Sequence, residues 1–335
     1  MGDRSAQKAL AAVGAAAAGY VAYRALKTAA WWSYVRFGPV LATKFKGDYA
    51  VVTGGSEGVG LGISEALAAR GVNLVLVSRS EAKLKAAAEY LRGGAEGVAV
   101  VTVAADLTKD GAASKIAAAL ASAGVADKVS LLVCNAGGGV KRAVPYQEFT
   151  ADEDELVRKL NGDATYALVK ELLPGMVARG RGFVLCISSL ITKMPFACLS
   201  NYYLEKAKIN ALATVLACEQ DAFGTGVGCE QDAFGTGVGV QAHTLGAVVT
   251  PALAAALAPA AAAAAGSAAP ALGACGEWVV RAMGKGAAPV ITPYPFHALP
   301  EEALVDAVAA LRRPGCLRRA VAARMSASFT RGWEK

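Results

Sequence analysis

Ala50-Val51-Val52-Thr53-Gly54-Gly55-Ser56-Glu57-Gly58-Val59-Gly60 is the stretch whose reading decides the fold. A short apolar run passes into a glycine-rich turn and then into a helical pattern that lasts to Arg70. Glycines at such a turn let the backbone bend sharply and approach a pyrophosphate, whose charge then rests on the amides and positive dipole of the helix N-terminus. The placement between a strand and a helix makes the signal stronger than the glycines alone. The same residues spell a nucleophile elbow, Gly54-Gly55-Ser56-Glu57-Gly58, with His243 and His297 downstream, so a serine hydrolase is a rival. Against it, Ser56 follows the first strand, whereas the elbow comes after several strands in that fold, and neither histidine has an evident place beside Ser56.

Outward from this stretch the pattern repeats. Apolar runs at 73–77, 98–103, 130–134, 182–187 and 238–244 alternate with helical segments. Six such runs predict an α/β fold: a Rossmann-type doubly wound parallel sheet in a single domain, covered by helices on both faces and wound right-handedly. The 335 residues suffice for one sizeable core, and an apolar content of 55% excludes a disordered chain. The expected cofactor-binding domain covers 48–300. An apolar and basic N-terminal segment, 1–47, precedes it and a basic tail, 301–335, follows.

Residues 1–47 carry seven basic and one acidic side chain and residues 301–335 seven and four, which leaves 20 against 22 between them. No basic stripe crosses the folded part, so nucleic acid is not the expected partner. Basic segments beside an apolar stretch suit an anionic membrane surface. Residues 9–23 are uncharged, and extension through Trp32 brings the stretch to the ~20 residues of a typical span, so a membrane anchor is expected. The plainer alternative is an Ala-rich surface helix. Arg24, Lys27 and Arg36 outweigh Arg4 and Lys8, which predicts a domain facing the cytosol. Seven cysteines without paired close spacing and two histidines make neither a disulfide framework nor a metal cluster, so no metal is expected.

CEQDAFGTGVG at 218–228 recurs unchanged at 229–239, too few copies for a solenoid. The first copy is expected to finish a helix and the second to begin a strand, leaving 224–237 as a surface excursion. An Ala/Pro-rich tract occupies 251–274.

Ser78-Arg79-Ser80 follows the second run with no acid before Glu81, where an NAD-selective site would place a carboxylate on the ribose hydroxyls. Arg79 can instead pair with a ribose 2′-phosphate, which points to NADPH. Its bland counterpart is a solvated arginine at a strand end. Asp106 and Asn135-Ala136-Gly137 fall at the carboxyl edge of the sheet, where doubly wound folds bind ligands. Carbonyl reduction also needs a proton donor, and a tyrosine with a free pKa of ~10 serves only when a cation stabilises its phenolate. Lys206 stands four residues after Tyr202, a spacing shared by Tyr23/Lys27 and Tyr166/Lys170. Only Tyr202 also has a serine thirteen residues earlier at a strand end, Ser189.

Thr53–Gly60, Asp106, Asn135-Ala136-Gly137, Asn161, Ser189, Tyr202 and Lys206 resemble, in order, the motifs of the short-chain dehydrogenase/reductases, over about residues 48–298. The resemblance implies a catalytic set of Asn161, Ser189, Tyr202 and Lys206, with Asn161 holding a water that relays protons to the lysine. It implies cofactor contacts from Gly54, Ser56, Gly58, Gly60, Arg79, Asp106 (to adenine), Asn135, Tyr202 and Lys206 (to the nicotinamide ribose). Leu245-Gly246-Ala247-Val248-Val249-Thr250 resembles the family's nicotinamide clamp, Pro-Gly-x-Val-x-Thr, with leucine for proline but Val248 and Thr250 retained.

The N-terminal apolar segment, Leu173-Pro174-Gly175-Met176 and Pro293-Tyr294-Pro295-Phe296-His297-Ala298 are similar to the membrane-bound branch containing very-long-chain 3-oxoacyl-CoA reductases and 17β-hydroxysteroid dehydrogenases. That likeness implies NADPH-dependent reduction of a lipid ketone, foremost a 3-oxoacyl-CoA in fatty-acid elongation, otherwise a steroid or another lipid ketone. It also implies the endoplasmic reticulum membrane and homodimer or elongation-complex partners, although the tail lacks the branch's dilysine signal. A non-enzymatic NADPH-binding scaffold is the alternative outside catalysis.

Overall fold

Strands covered on both faces are apolar along their whole length, and each of the six valine- and leucine-rich runs does form one. The computed structural model describes residues 40–138, 140, 142, 144–193, 198–222, 238–245, 277 and 279–281, with isolated positions between 14 and 33. The strands are β1 (Tyr49–Thr53), β2 (Asn73–Ser78), β3 (Val100–Ala104), β4 (Val129–Cys134), β5 (Gly182–Ser189) and β6 (Val238–Leu245). They lie in the order β3-β2-β1-β4-β5-β6, every pairing parallel. This is the doubly wound Rossmann arrangement expected from the pattern. β3 begins two residues later than the apolar run, and just before it the amide of Ala99 donates to Asn73 Oδ1 at 2.8 Å.

The helices are α1 (Gly58–Ala68), α2 (Glu81–Gly94), α3 (Ala112–Ser122), α4 (Ala151–Arg158), α5 (Ala164–Ala178) and α6 (Ser200–Ala222). Alternation along the strands sends successive side chains to opposite layers. Val52, Leu74, Leu76 and Leu185 pack on Ile63 and Leu67 of α1 and on Leu84 and Leu91 of α2. Val51, Val75, Leu132 and Val184 pack on Ile116 and Leu120 of α3, Leu168 of α5 and Ile209 of α6. Each fully buried leucine, isoleucine or valine contributes about 1.5–3 kcal/mol, so the two layers fix the sheet between its helices. Between α4 and α5 the chain makes a π-helical turn, Lys159–Asp163.

β1 has β2 on one side and β4 on the other, so the connections leave it in opposite directions and open a crevice at the carboxyl edge. Thr53, Ser78, Cys134 and Ser189 end their strands there. Residues 277 and 279–281 are helical and return to the α1 layer, where Val279 and Val280 are fully buried. Arg70 clasps Glu277 through two nitrogens, at 2.7 and 2.5 Å.

α6 ends at Ala222, inside the first copy of the repeat, and β6 begins at Val238, inside the second. The excursion expected at 224–237 lies outside the described residues, as do the Ala/Pro tract, the basic tail and most of the expected anchor. Among the described residues no helix is long and apolar enough to cross a membrane.

Candidate active site

The glycine-rich turn takes its shape from backbone that only glycine adopts readily and from a close approach. Gly54 has φ +63°, in the left-handed region. A Cβ on Gly60 would strike the carbonyl oxygen of Gly54, so only glycine lets α1 start this close to the end of β1. Thr53 and Asn135 lock that end to β4. Thr53 Oγ1 donates to the Val133 carbonyl at 3.2 Å and accepts from the amides of Asn135 at 2.9 Å and Ala136 at 3.0 Å. Asn135 Nδ2 donates back to the Thr53 carbonyl at 2.9 Å.

Ser56 Oγ donates to Ser78 Oγ at 2.9 Å, which ties the turn to the end of β2. That bond bears on the hydrolase alternative. His243 lies on β6, three strands from β1, or about 14 Å at ~4.8 Å per strand. Its ring is fully buried, neither nitrogen has a partner, and burial lowers its pKa to about 4. No serine–histidine pair forms at Ser56 among the described residues, and His297 lies outside them.

The π-helical turn carries Asn161 inward. Its Nδ2 donates to the carbonyls of Gly138 at 2.8 Å and Val157 at 2.9 Å, and its Oδ1 accepts from the Gly138 amide at 2.9 Å. A Cβ on Gly137 would lie 2.7 Å from Asn161 Oδ1 and 3.0 Å from Lys206 Nζ, so both side chains converge on that glycine.

Ser189, at the end of β5, lines the same cleft as Tyr202. Burial raises the Tyr202 pKa, and the neighbouring Ser189 side chain pulls the other way. One helical turn on, Lys206 Nζ donates to the Ile187 carbonyl at 2.9 Å and lies 5.7 Å from the centre of the Tyr202 ring. Burial lowers its pKa to about 8.

Gly54, Ser56, Gly58, Arg79, Asn135, Ser189, Tyr202 and Lys206 all line one cleft of about 620 Å³ at the carboxyl edge. Gly60 and Asn161 do not line it: the first packs against the turn, the second behind Gly137 and Gly138. Asp106 stands between the lining residues Ala105 and Leu107 without reaching the cleft. Its Oδ1 accepts from the amide of Thr108 at 3.0 Å and from its hydroxyl at 2.8 Å. The Thr108 amide chiefly, with Arg79 as a lesser cause, holds its carboxyl below the ordinary range. Val248 and Thr250 lie outside the described residues.

The cleft also contains residues the sequence did not single out. Leu160 and Ile187 line its inner part, and Glu57 and Lys83 pair across its mouth with Nζ to carboxylate distances of 3.0 and 2.9 Å. No local spacing rule joins two residues 26 apart.

Residues 48–254 match the family of short chain dehydrogenases. A very-long-chain 3-oxoacyl-CoA reductase of Pyrenophora tritici-repentis is 31% identical over 195 residues, 57% of this chain and 54% of that one. The chain thus spans about half the length of this curated relative. A 7β-hydroxysteroid dehydrogenase structure is similar with a TM-score of 0.64 and 25% identity, over 85% of this chain and 98% of that one. A short-chain dehydrogenase from Sphingobium yanoikuyae, solved in complex with NADPH, has a TM-score of 0.60 and 25% identity over 79% of this chain and 93% of its own.

Proposed function

The chain belongs to the short-chain dehydrogenase family, and from that membership we propose that it reduces the ketone of a lipid-like substrate with NADPH, foremost a 3-oxoacyl-CoA to the 3-hydroxyacyl-CoA in fatty-acid elongation. The observation that carries this is the gathering of Ser189, Tyr202 and Lys206, with Lys206 Nζ 5.7 Å from the centre of the Tyr202 ring, in the cleft that also holds the glycine turn and Arg79. The cleft fits a dinucleotide. The turn presents the start of α1 to it, and Arg79 is exposed at its mouth with no hydrogen bond among the described residues.

NADPH, when bound, supplies the hydride to the carbonyl carbon. Tyr202 gives its phenolic proton to the carbonyl oxygen, and Ser189, in the same cleft, holds the oxygen in place. The Lys206 ammonium stabilises the phenolate left behind. With a pKa of about 8 it is still charged at neutral pH. Arg79 takes the 2′-phosphate, and Asn161 keeps Gly137 and Gly138 close to Lys206.

A steroid ketone is the second substrate class, supported by the likeness to a 7β-hydroxysteroid dehydrogenase over nearly all of that chain. The basic flanks of the N-terminal apolar stretch support attachment to the endoplasmic reticulum membrane, the domain facing the cytosol, where a second copy or elongation enzymes would be its partners. Loss of NADPH absorbance with detergent-solubilised protein, against 3-oxoacyl-CoAs of graded length and a set of ketosteroids, tests the proposal. Turnover of the thioesters is expected. Turnover of steroids alone moves the assignment to the second class, and NADPH binding without any turnover leaves a scaffold.

A further inference from the structure

Glu57 stands at the N-cap of α1 with extended backbone, and its carboxylate makes no cap hydrogen bond there. It reaches across the cleft mouth to Lys83, in the first turn of α2, whose amide is capped by Ser80 Oγ at 3.3 Å. Both oxygens of the carboxylate face the one ammonium. The two side chains are 52% and 55% exposed, so water screens the pair and it holds weakly. Arg79 lines the same mouth at the end of β2. Two cations and one carboxylate therefore surround the space beside Ser78, where the second strand ends.

We infer that Lys83 is a second cation for the adenosine 2′-phosphate and that Glu57 is a displaceable stand-in for that phosphate, an inference that rests on the NADPH reading above. A carboxylate with two oxygens on an ammonium occupies the place of two phosphate oxygens with only about half to two thirds of the charge, since a phosphate monoester carries about −1.5 to −2 at neutral pH. The stronger anion takes Lys83, and Glu57 turns out to solvent. NADH brings two neutral ribose hydroxyls and leaves the Glu57–Lys83 pair in place. The pair thus keeps Lys83 over the site between turnovers and sets a threshold that only a phosphorylated ribose crosses.

The test is the dissociation constant of NADPH and of NADH, by titration calorimetry, for the full chain and for Lys83→Met, Glu57→Gln and the double variant. Lys83→Met is expected to weaken NADPH about tenfold, the size of one lost charge-assisted contact, and to leave NADH within about twofold. Glu57→Gln is expected to tighten NADPH about threefold by removing the competing charge, and most of that gain should vanish in the double variant. An unmodified protein that binds the two cofactors equally overturns the NADPH reading and this inference together. A clear NADPH preference that Lys83→Met leaves unchanged overturns the inference alone, and so does an equal loss of both cofactors, which would place Lys83 in the turn's structure.

Discussion

Tyr202 sits between opposed influences, burial that raises its pKa and the Ser189 side chain that lowers it, in the cleft where the proposed reduction takes its proton. Tyr202→Phe should therefore lower kcat by about 10²–10⁴, the usual worth of a positioned acid, while NADPH affinity stays within a few-fold. Stopped-flow turnover and cofactor titration on one preparation check both halves. The Lys206 charge is present below its pKa of about 8 and lost above it, so reduction should fall as pH rises through about 8. In Lys206→Arg, whose guanidinium does not titrate in that range, any residual rate should lack the alkaline limb. Arg79→Asp should cost NADPH about 1.5–3 kcal/mol and NADH much less, measured as a ratio of dissociation constants. The gathering of Ser189, Tyr202 and Lys206 was legible because Ser189 separates Tyr202 from the equally spaced Tyr166 and Tyr23, and all three line one cleft. The Ser56–Ser78 and Glu57–Lys83 bonds were not legible, since each joins residues that become neighbours only once β1 and β2 pair.

At the level of elements, the six apolar runs announced the strands, whereas nothing in the spacing announced the π-helical turn between α4 and α5. The turn has tertiary causes: Asn161 is held by the Gly138 backbone, and buried Glu205 on α6 fills the space where Gly162 has no Cβ. In an exposed helix Gly→Ala gains about 1 kcal/mol, but overpacking a filled site costs about 1–3. Gly162→Ala should therefore destabilise the protein, and Glu205→Ser in the same chain should restore the urea midpoint. The repeat makes a separate prediction. With α6 closing in the first copy and β6 opening in the second, deletion of Cys229–Gly239 returns the same residues to both elements. Shortening the connection from 15 residues, 223–237, to four is nearly two halvings and changes its closure entropy by only ~1.2 kcal/mol, so thermal midpoint, NADPH affinity and turnover should all survive the deletion. Loss of turnover with cofactor binding intact would assign the extra copy to the substrate entrance or an interface.

For the whole molecule, the doubly wound parallel sheet followed from alternation and right-handed crossovers, whereas the return of residues 277 and 279–281 to the α1 layer hangs on an Arg70–Glu277 contact between residues 207 apart that no local pattern encodes. Stability should carry the mark of His243. The folded ring stays neutral down to about pH 4, while the unfolded chain takes up a proton near 6.5. Its contribution is therefore complete above pH 6.5 and is lost, to the extent of about 3 kcal/mol, as pH falls toward 4. His243→Leu should flatten the decline in thermal midpoint over that window, and an unchanged slope would place the acid sensitivity elsewhere. Removal of residues 1–47 should release at least part of the protein from membranes on flotation. The order of assembly is also set by the cleft. Its walls are gathered from residues scattered between Gly54 and Lys206, contributed by the carboxyl ends of β1 to β5 and by helices of which α6 is the last. A chain still growing on the ribosome therefore owns no complete cleft until α6 has emerged, and the sheet centred on β1 and β4 must hold together until then without help from any ligand of that cleft.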